Sequence, residues 1–471
     1  MKASGQTGRS ASGIAGSWLG DRSFYQELFR LALPIMFSQL VAMSMGFIDT
    51  VMVGQLDAQS MAGVAVANKY FMLVSAVLYG LIGAMGAYIS QFYGAGDHGK
   101  CQGLMLYSQG GAVLTAGCFA VAATVFAPNL FRIFITDRLS IEMGLGYLAY
   151  VRISYLPFAV SLVCNFAFRA IGQTRLPMLI SSAAIVCNTL FNYLLIFGHL
   201  GLPALGTAGA GLATLLARLL EMTAYLLAIA GGRAYFSLRP GRIRLLGRRV
   251  LGQMNRKSLS LMGMELLWAL AMMTLYWSYA RVDQNFVPAL AITETVANLN
   301  FVVYGGMGVA VSVFVGTKLG AGQLDEARVN TRRILFLGCL ITAVYGLLVL
   351  ALSRKIPDLF QVSDEIRLLA GRMLGIQALV YGVITANVIV FYVLRIGGDV
   401  RANLLMESLY SWLFLIPLAL VLSLWLRPEV SIFFLILQSA ELVKALLGRH
   451  FLRQGRWMRN LTDSRASSPG A

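Results

Sequence analysis

The sequence predicts an all-α polytopic membrane protein: twelve transmembrane helices in two pseudo-symmetric six-helix bundles. Three observations carry that expectation. Apolar residues make up 58% of the 471 positions, against 13% charged, whereas soluble domains sit near 45–50% and about 25%. They gather in blocks of about 20 residues or more, the length that crosses about 30 Å of hydrocarbon. Lys and Arg fall mainly in alternate connections, and short motifs recur 226 residues apart. In lipid every backbone N–H and C=O must be paired within the segment, so such blocks are helices. The alternating pattern of a β-barrel is absent.

In order, the segments run approximately 27–53, 61–93, 103–127, 143–171, 176–198, 207–231, 256–282, 288–316, 330–353, 368–395, 402–426 and 430–452. Counting Lys and Arg in the connections sets the orientation. The N-terminal tail (Lys2, Arg9, Arg22, Arg30), the stretch from Arg233 to Lys257, that from Lys318 to Arg333 and everything from Arg449 onward fall on one side. The opposite loops hold only Arg132, Arg138, Arg281, Arg354, Lys355, Arg367 and Arg427. This bias predicts a multi-pass protein of the cell (inner or plasma) membrane with both termini in the cytoplasm. It also accounts for the net charge of +17, and no aromatic stacking platforms accompany the basic residues, so no nucleic-acid partner is expected.

The organisation that follows is a cytoplasmic tail over 1–26, a six-helix lobe over 27–232, a basic linker over 233–255, a second lobe over 256–453 and a C-terminal tail over 454–471. The first 21 residues are polar, Gly/Ser-rich and basic, a disordered tail rather than a signal peptide. Five scattered cysteines show no metal spacing and read as small packing residues.

The repeat is specific in its spacing. Gly94-Ala95-Gly96 returns as Gly320-Ala321-Gly322, Arg169 to Arg175 returns as Arg395 to Arg401 with Gly172 matched by Gly398, and Gly80 by Gly306. Each half has six helices, so both enter the membrane in the same sense. Two parallel bundles around a central cleft suit alternating access. No Gly-x-x-x-x-Gly-Lys-[Ser/Thr] loop exists to bind ATP, so the energy must come from an ion or substrate gradient. The three histidines sit near segment ends without a catalytic cluster, and no enzyme is expected.

At these residues the chain resembles the multidrug and toxic compound extrusion (MATE) family. Leu31-Ala-Leu-Pro34 through Asp49-Thr50 to Gly54 is similar to that family's first helix. The Gly-Ala-Gly turns, the Gly-x-x-Arg turns, Asn188-Thr-Leu-Phe-Asn192 and Trp457-Met-Arg-Asn460-Leu also fit, and the likeness covers nearly all of 27–461. It implies antiport of H⁺ or Na⁺ against amphipathic, cationic organic compounds, with no cofactor, lipid as the only other partner, and a monomer. A lipid-linked precursor flippase and a major-facilitator transporter are the alternatives. The first would want a cationic cavity. The second would want a basic run in place of Gly94-Ala-Gly-Asp97-His-Gly99-Lys100.

An acid inside the membrane is expensive and therefore a functional candidate. Asp49 lies in the outer half of the first segment. Asn188 and Asn192 are four apart, on one face of the fifth. A carboxylate with two carboxamides offers oxygen ligands to Na⁺ or a proton site. The alternative reading of the same residues is a helix-end cap and interhelical glue. The resemblance implies that Asp49, Asn188 and Asn192 couple the ion, and that a bend at Pro34 accompanies it. Gln39, Glu265, Glu294 and Glu407 are the candidate cavity residues. The family's seventh-helix Glu falls one turn beyond Glu265, and its tenth-helix Asp falls at Ile384, with Thr385 and Asn387 nearby. Arg218 with Glu221, and Glu441 with Lys444, have the spacing of self-neutralising pairs. Gly83, Gly86, Gly316 and Gly320 are expected where helices approach closely.

Overall fold

A computed structural model describes residues 20–56, 58–134, 137–231, 235–237, 239–282, 286–360 and 363–462. Twelve helices are long and apolar enough to span a membrane. They are α1 (Arg22–Gly54), α2 (Ala58–Gly94), α3 (His98–Phe134), α4 (Arg138–Ala170), α5 (Arg175–Phe197) and α6 (Gly206–Ala230) in the first half. The second half holds α7 (Arg248–Val282), α8 (Ile292–Gly320), α9 (Leu324–Leu352), α10 (Asp364–Ile396), α11 (Val400–Leu426) and α12 (Val430–Gln454). No strand occurs among the described residues.

Most helices run a few residues past the apolar blocks that announce them, and side chains cap some of their starts. Asp97, Asp137 and Asp399 each accept a hydrogen bond from a main-chain N–H three residues on, those of Lys100, Ser140 and Ala402. Such a side chain supplies one of the four N–H groups that a helix start leaves unpaired. The four turns of the repeat close through left-handed glycines, Gly96, Gly172, Gly322 and Gly398, with φ of 76°, 82°, 77° and 75°.

The two halves meet through reciprocal contacts at the 226-residue offset. Helix α1 packs on α8, and α7 packs on α2. A methyl group added at Gly80 would lie 2.5 Å from Met262 Cα, and one at Gly306 would lie 3.0 Å from Met36 Cγ. At the far end of the same helices, a methyl at Gly94 would collide with the Thr317 carbonyl oxygen, and one at Gly320 with that of Gln91. Met36 and Met262, and Gln91 and Thr317, are themselves 226 apart. The pseudo-twofold axis therefore passes between α2 and α8, which touch at their Gly-Ala-Gly ends. Gly83 and Gly316 also stand at crowded points, but Gly86 faces open space and does not serve a close approach.

The linker and the C-terminal tail are built in. Pro240–Leu245 forms a 3₁₀ turn against α3. Phe236 is buried, Ser237 donates to Gln102 Oε1 at 2.7 Å, and α7 already begins at Arg248, inside the expected linker. Beyond α12, Trp457 is buried. Asn460 Nδ2 donates to the Gly320 carbonyl at 3.3 Å, and the Leu461 N–H to Gln91 Oε1 at 2.5 Å. Gln91 also donates to the Ile396 carbonyl at 2.9 Å. The tail thus runs beneath both halves. The expected disordered N-terminal tail lies largely outside the described residues.

Candidate substrate and ion sites

Asp49 belongs to α1, but its side chain, like those of residues 45–51 generally, lies outside the described residues. Its expected partners are on α5, which packs between α1 and α6. Asn192 is buried at 3% exposure, Asn188 is half-buried, and the Asn188 Nδ2 has no hydrogen-bond partner. Helix α1 continues through Pro34, which lines an open groove with Phe29, Arg30, Leu33, Phe37 and Arg175.

Of the candidate acids of the second half, two are already paired. Glu265 Oε1 lies 2.9 Å from Arg395 Nη1, with side chains 19% and 11% exposed. Glu407 Oε2 lies 2.8 Å from Lys444 Nζ. Glu294 is exposed on α8. The spacing that joined Glu441 to Lys444 misleads: the ammonium prefers Glu407 on α11, and Glu441 instead accepts from Asn387 Nδ2 at 2.8 Å. A three-residue spacing gives reach, but a neighbouring helix offers a competing carboxylate. Arg218 and Glu221 do pair, at 2.8 Å. Ser181 donates to Glu221 at 2.8 Å, and Asn165 Nδ2 donates to Ser181 Oγ at 3.3 Å and to the Tyr225 hydroxyl at 3.1 Å.

Two functional candidates were hidden in the Gly-x-x-Arg turns. Arg395 Nη2 donates across to the Tyr79 carbonyl at 2.6 Å, and Arg169 Nη2 donates across to the Gly305 carbonyl at 3.3 Å. Tyr79 and Gly305 are 226 apart, as are the two arginines, so the same bond is made twice in opposite directions between the halves. The symmetry fails at one atom pair. Glu265 braces Arg395, and the residue at the matching place in α1 is Gln39, a neutral amide. A methyl at Gly305 would lie 3.3 Å from Gln39 Cγ and Nε2, so Gln39 sits beside that carbonyl. The Arg395 guanidinium also lies over Gly83, where any side chain would displace it. The signal available in sequence was an arginine repeated at the last turn of two membrane helices.

Comparison with known proteins agrees with this architecture. The MatE family profile matches residues 34–194 and 261–421, one copy in each half. The chain is 28% identical over 449 residues to the multidrug resistance protein MdtK of Edwardsiella ictaluri, covering 91% of this chain and 96% of that one. It is 25% identical over 428 residues to the probable multidrug resistance protein NorM of Idiomarina loihiensis, covering 88% and 90%. A crystal structure of MATE in complex with MaL6 superposes with a TM-score of 0.84 at 17% identity, over 95% of this chain and 99% of that one. Matched in both halves by one profile and built on one repeated six-helix frame, the chain belongs to the MatE family of membrane transporters.

Proposed function

We propose that the protein is a secondary active antiporter that exports amphipathic, cationic organic compounds in exchange for H⁺ or Na⁺ by alternating access. The observation that carries this reading is the reciprocal interface. Its contacts are matched in the two halves, Gly80 against Met262 and Gly306 against Met36, as suits two equivalent bodies that rock about a shared axis. Relatives named for multidrug resistance support organic compounds as cargo. The charge bias of the loops supports a plasma-membrane protein with the Gly-Ala-Gly end in the cytoplasm. The described arrangement then has its cytoplasmic end shut.

In this reading the gradient ion binds Asp49 beside Asn188 and Asn192, with Pro34 freeing α1 to bend. Binding of the ion favours one lobe arrangement and binding of cargo the other. Gln39, Glu265, Glu294 and Glu407 line the cargo's path. Of these Glu294 offers the most available charge, since Glu265 and Glu407 must first leave their cations. The test is reconstitution in vesicles with a fluorescent organic cation, imposing pH and Na⁺ gradients separately. Gradient-driven efflux that is abolished by Asp49→Asn in a folded protein is the expected result. Undiminished efflux by that variant would remove Asp49 from the mechanism.

A further inference from the structure

One cluster inside the second half holds two carboxylates, Glu407 and Glu441, and a single cation, Lys444. Where α10, α11 and α12 meet, Lys444 lies between two carboxylates and pairs with one, Glu407, both side chains being less than 15% exposed at 14% and 12%. Glu441, one turn before Lys444, makes no ion pair among the described residues and accepts only from Asn387, at 2.8 Å. The other titratable groups facing this cluster are the phenols of Tyr279 on α7, Tyr304 on α8 and Tyr410 on α11, together with Glu265 on α7, which is held by Arg395. None supplies a positive charge. A surplus carboxylate inside a membrane helix is costly, so something must neutralise it.

A second observation says what. Asn387 is 2% exposed, and its carboxamide oxygen has no hydrogen-bond partner, while its Nδ2 is engaged by Glu441. A carboxylate is an acceptor only and satisfies the N–H side of a carboxamide. A carboxylic acid carries a donor as well, and so complements both sides. The donor that Asn387 Oδ1 lacks is the one a protonated Glu441 would present.

We propose that Glu441 is a proton-carrying site of the second lobe, with Asn387 as its hydrogen-bond acceptor and Lys444 as the movable counter-charge. This rests on the reading of the protein as an ion-coupled antiporter and adds a site distinct from Asp49. The step is a proton transfer alone. One O–H bond forms on Glu441 as a proton arrives from water and breaks as it leaves to water. On loss of the proton, Lys444, which has Glu441 on its own helix face, is drawn between the two carboxylates, and Glu407 is left partly uncompensated. Glu407 lies in a π-helical turn, Leu405–Leu409, a break in the regular ladder often found where helices do chemistry.

The experiment is infrared difference spectroscopy of the purified full-length protein, titrated with acid and, separately, with Na⁺, alongside pH-driven efflux in vesicles. The expected result is a protonated-carboxyl band that titrates in the wild type and is lost in Glu441→Gln; in Glu407→Gln, which frees Lys444 to pair with Glu441, the band should appear only at lower pH. Asn387→Leu should shift its proton affinity about tenfold or more, the scale of one hydrogen bond to a charged group. Lys444→Met should add about one further protonated carboxyl, because two acids then lack a cation. An unchanged band in Glu441→Gln and Lys444→Met, or a site filled by Na⁺ and indifferent to pH, would overturn the proposal. Should Glu441→Gln not fold, Asn387→Leu and Lys444→Met decide by the same readings. Wild-type protein that titrates but drives no efflux would refute antiport and leave the proton site standing.

Discussion

The two lobes share a frame and differ in where they keep charge. In the first, Arg218 finds its acid on its own helix, and Ser181, Asn165 and Tyr225 satisfy the remainder. In the second, Glu407 stands at the place matching Ser181, Lys444 reaches across to it, and Glu441 is left to an amide. The candidate ion residues Asp49, Asn188 and Asn192 correspond at the 226 offset to Leu275, Phe414 and Leu418. Even the helices differ: α5 is regular, whereas α11 contains three π-helical stretches. Close backbone contacts have been kept by both copies, because a methyl group at Gly94 or Gly320 fits neither. Side chains that face only their own lobe have been free to diverge, and chemistry has gone with them.

The arginine bonds offer the sharpest way to break this comparison. Arg395→Leu strands Glu265 and the Tyr79 carbonyl together, and breaking a largely buried pair costs about 3–5 kcal/mol. Arg169→Leu removes a single bond to a neutral carbonyl and should cost about 1–2 kcal/mol. Thermal unfolding in detergent should therefore rank Arg395→Leu well below Arg169→Leu, and equal losses would show that Glu265 adds nothing. Gly94→Val and Gly320→Val come next. Each should drive the Gly-Ala-Gly ends apart by a similar amount, read as the distance between spin labels at Ala95 and Ala321. A lopsided response would mean that the interface is less symmetric than its contacts. Gly83→Ala should follow, displacing the Arg395 guanidinium without altering its charge and reproducing part of the Arg395→Leu loss.

The smallest effect concerns a turn. Burial alone would raise the Asp97 carboxyl, but hydrogen bonds from Lys100 and its charge hold it below the ordinary carboxylate range. A depressed carboxyl stabilises the fold above its unfolded value and loses that contribution as pH falls through its folded one. Asp97→Asn keeps a capping oxygen but loses the ion pair with Lys100 and should cost about 0.2–1 kcal/mol at neutral pH, and the difference from wild type should shrink below about pH 4. A difference that persists in acid would assign it to side-chain shape alone.

All twelve spans were legible in the sequence, because a bilayer demands long apolar blocks and a helix is the only way to pair their backbones. The repeat was legible too, since its glycines answer to backbone contacts that no other residue permits. The arginine bonds were not. Counting Lys and Arg by side of the membrane cannot tell a snorkelling charge from one aimed at a carbonyl in the other half, as Arg169 and Arg395 are. Lys444 was misassigned for a related reason: local spacing names the reachable partner on the same helix, and Glu407, 37 residues away, becomes visible only when α11 is laid against α12. Asp49 remains a proposal, resting on its place in α1 and on two asparagines of α5, the helix packed against it.

Gln91 takes one of its hydrogen bonds from Leu461 and gives another to Ile396. On the ribosome these partners are made hundreds of residues after it. The first lobe must therefore wait in the bilayer, with a buried amide unanswered, until the chain beyond the twelfth helix has been released and can thread beneath it. A cleavage or bulky fusion just past α12 should loosen the seam at the Gly-Ala-Gly ends, while the contacts of α1 with α8 and of α2 with α7 still hold the halves together.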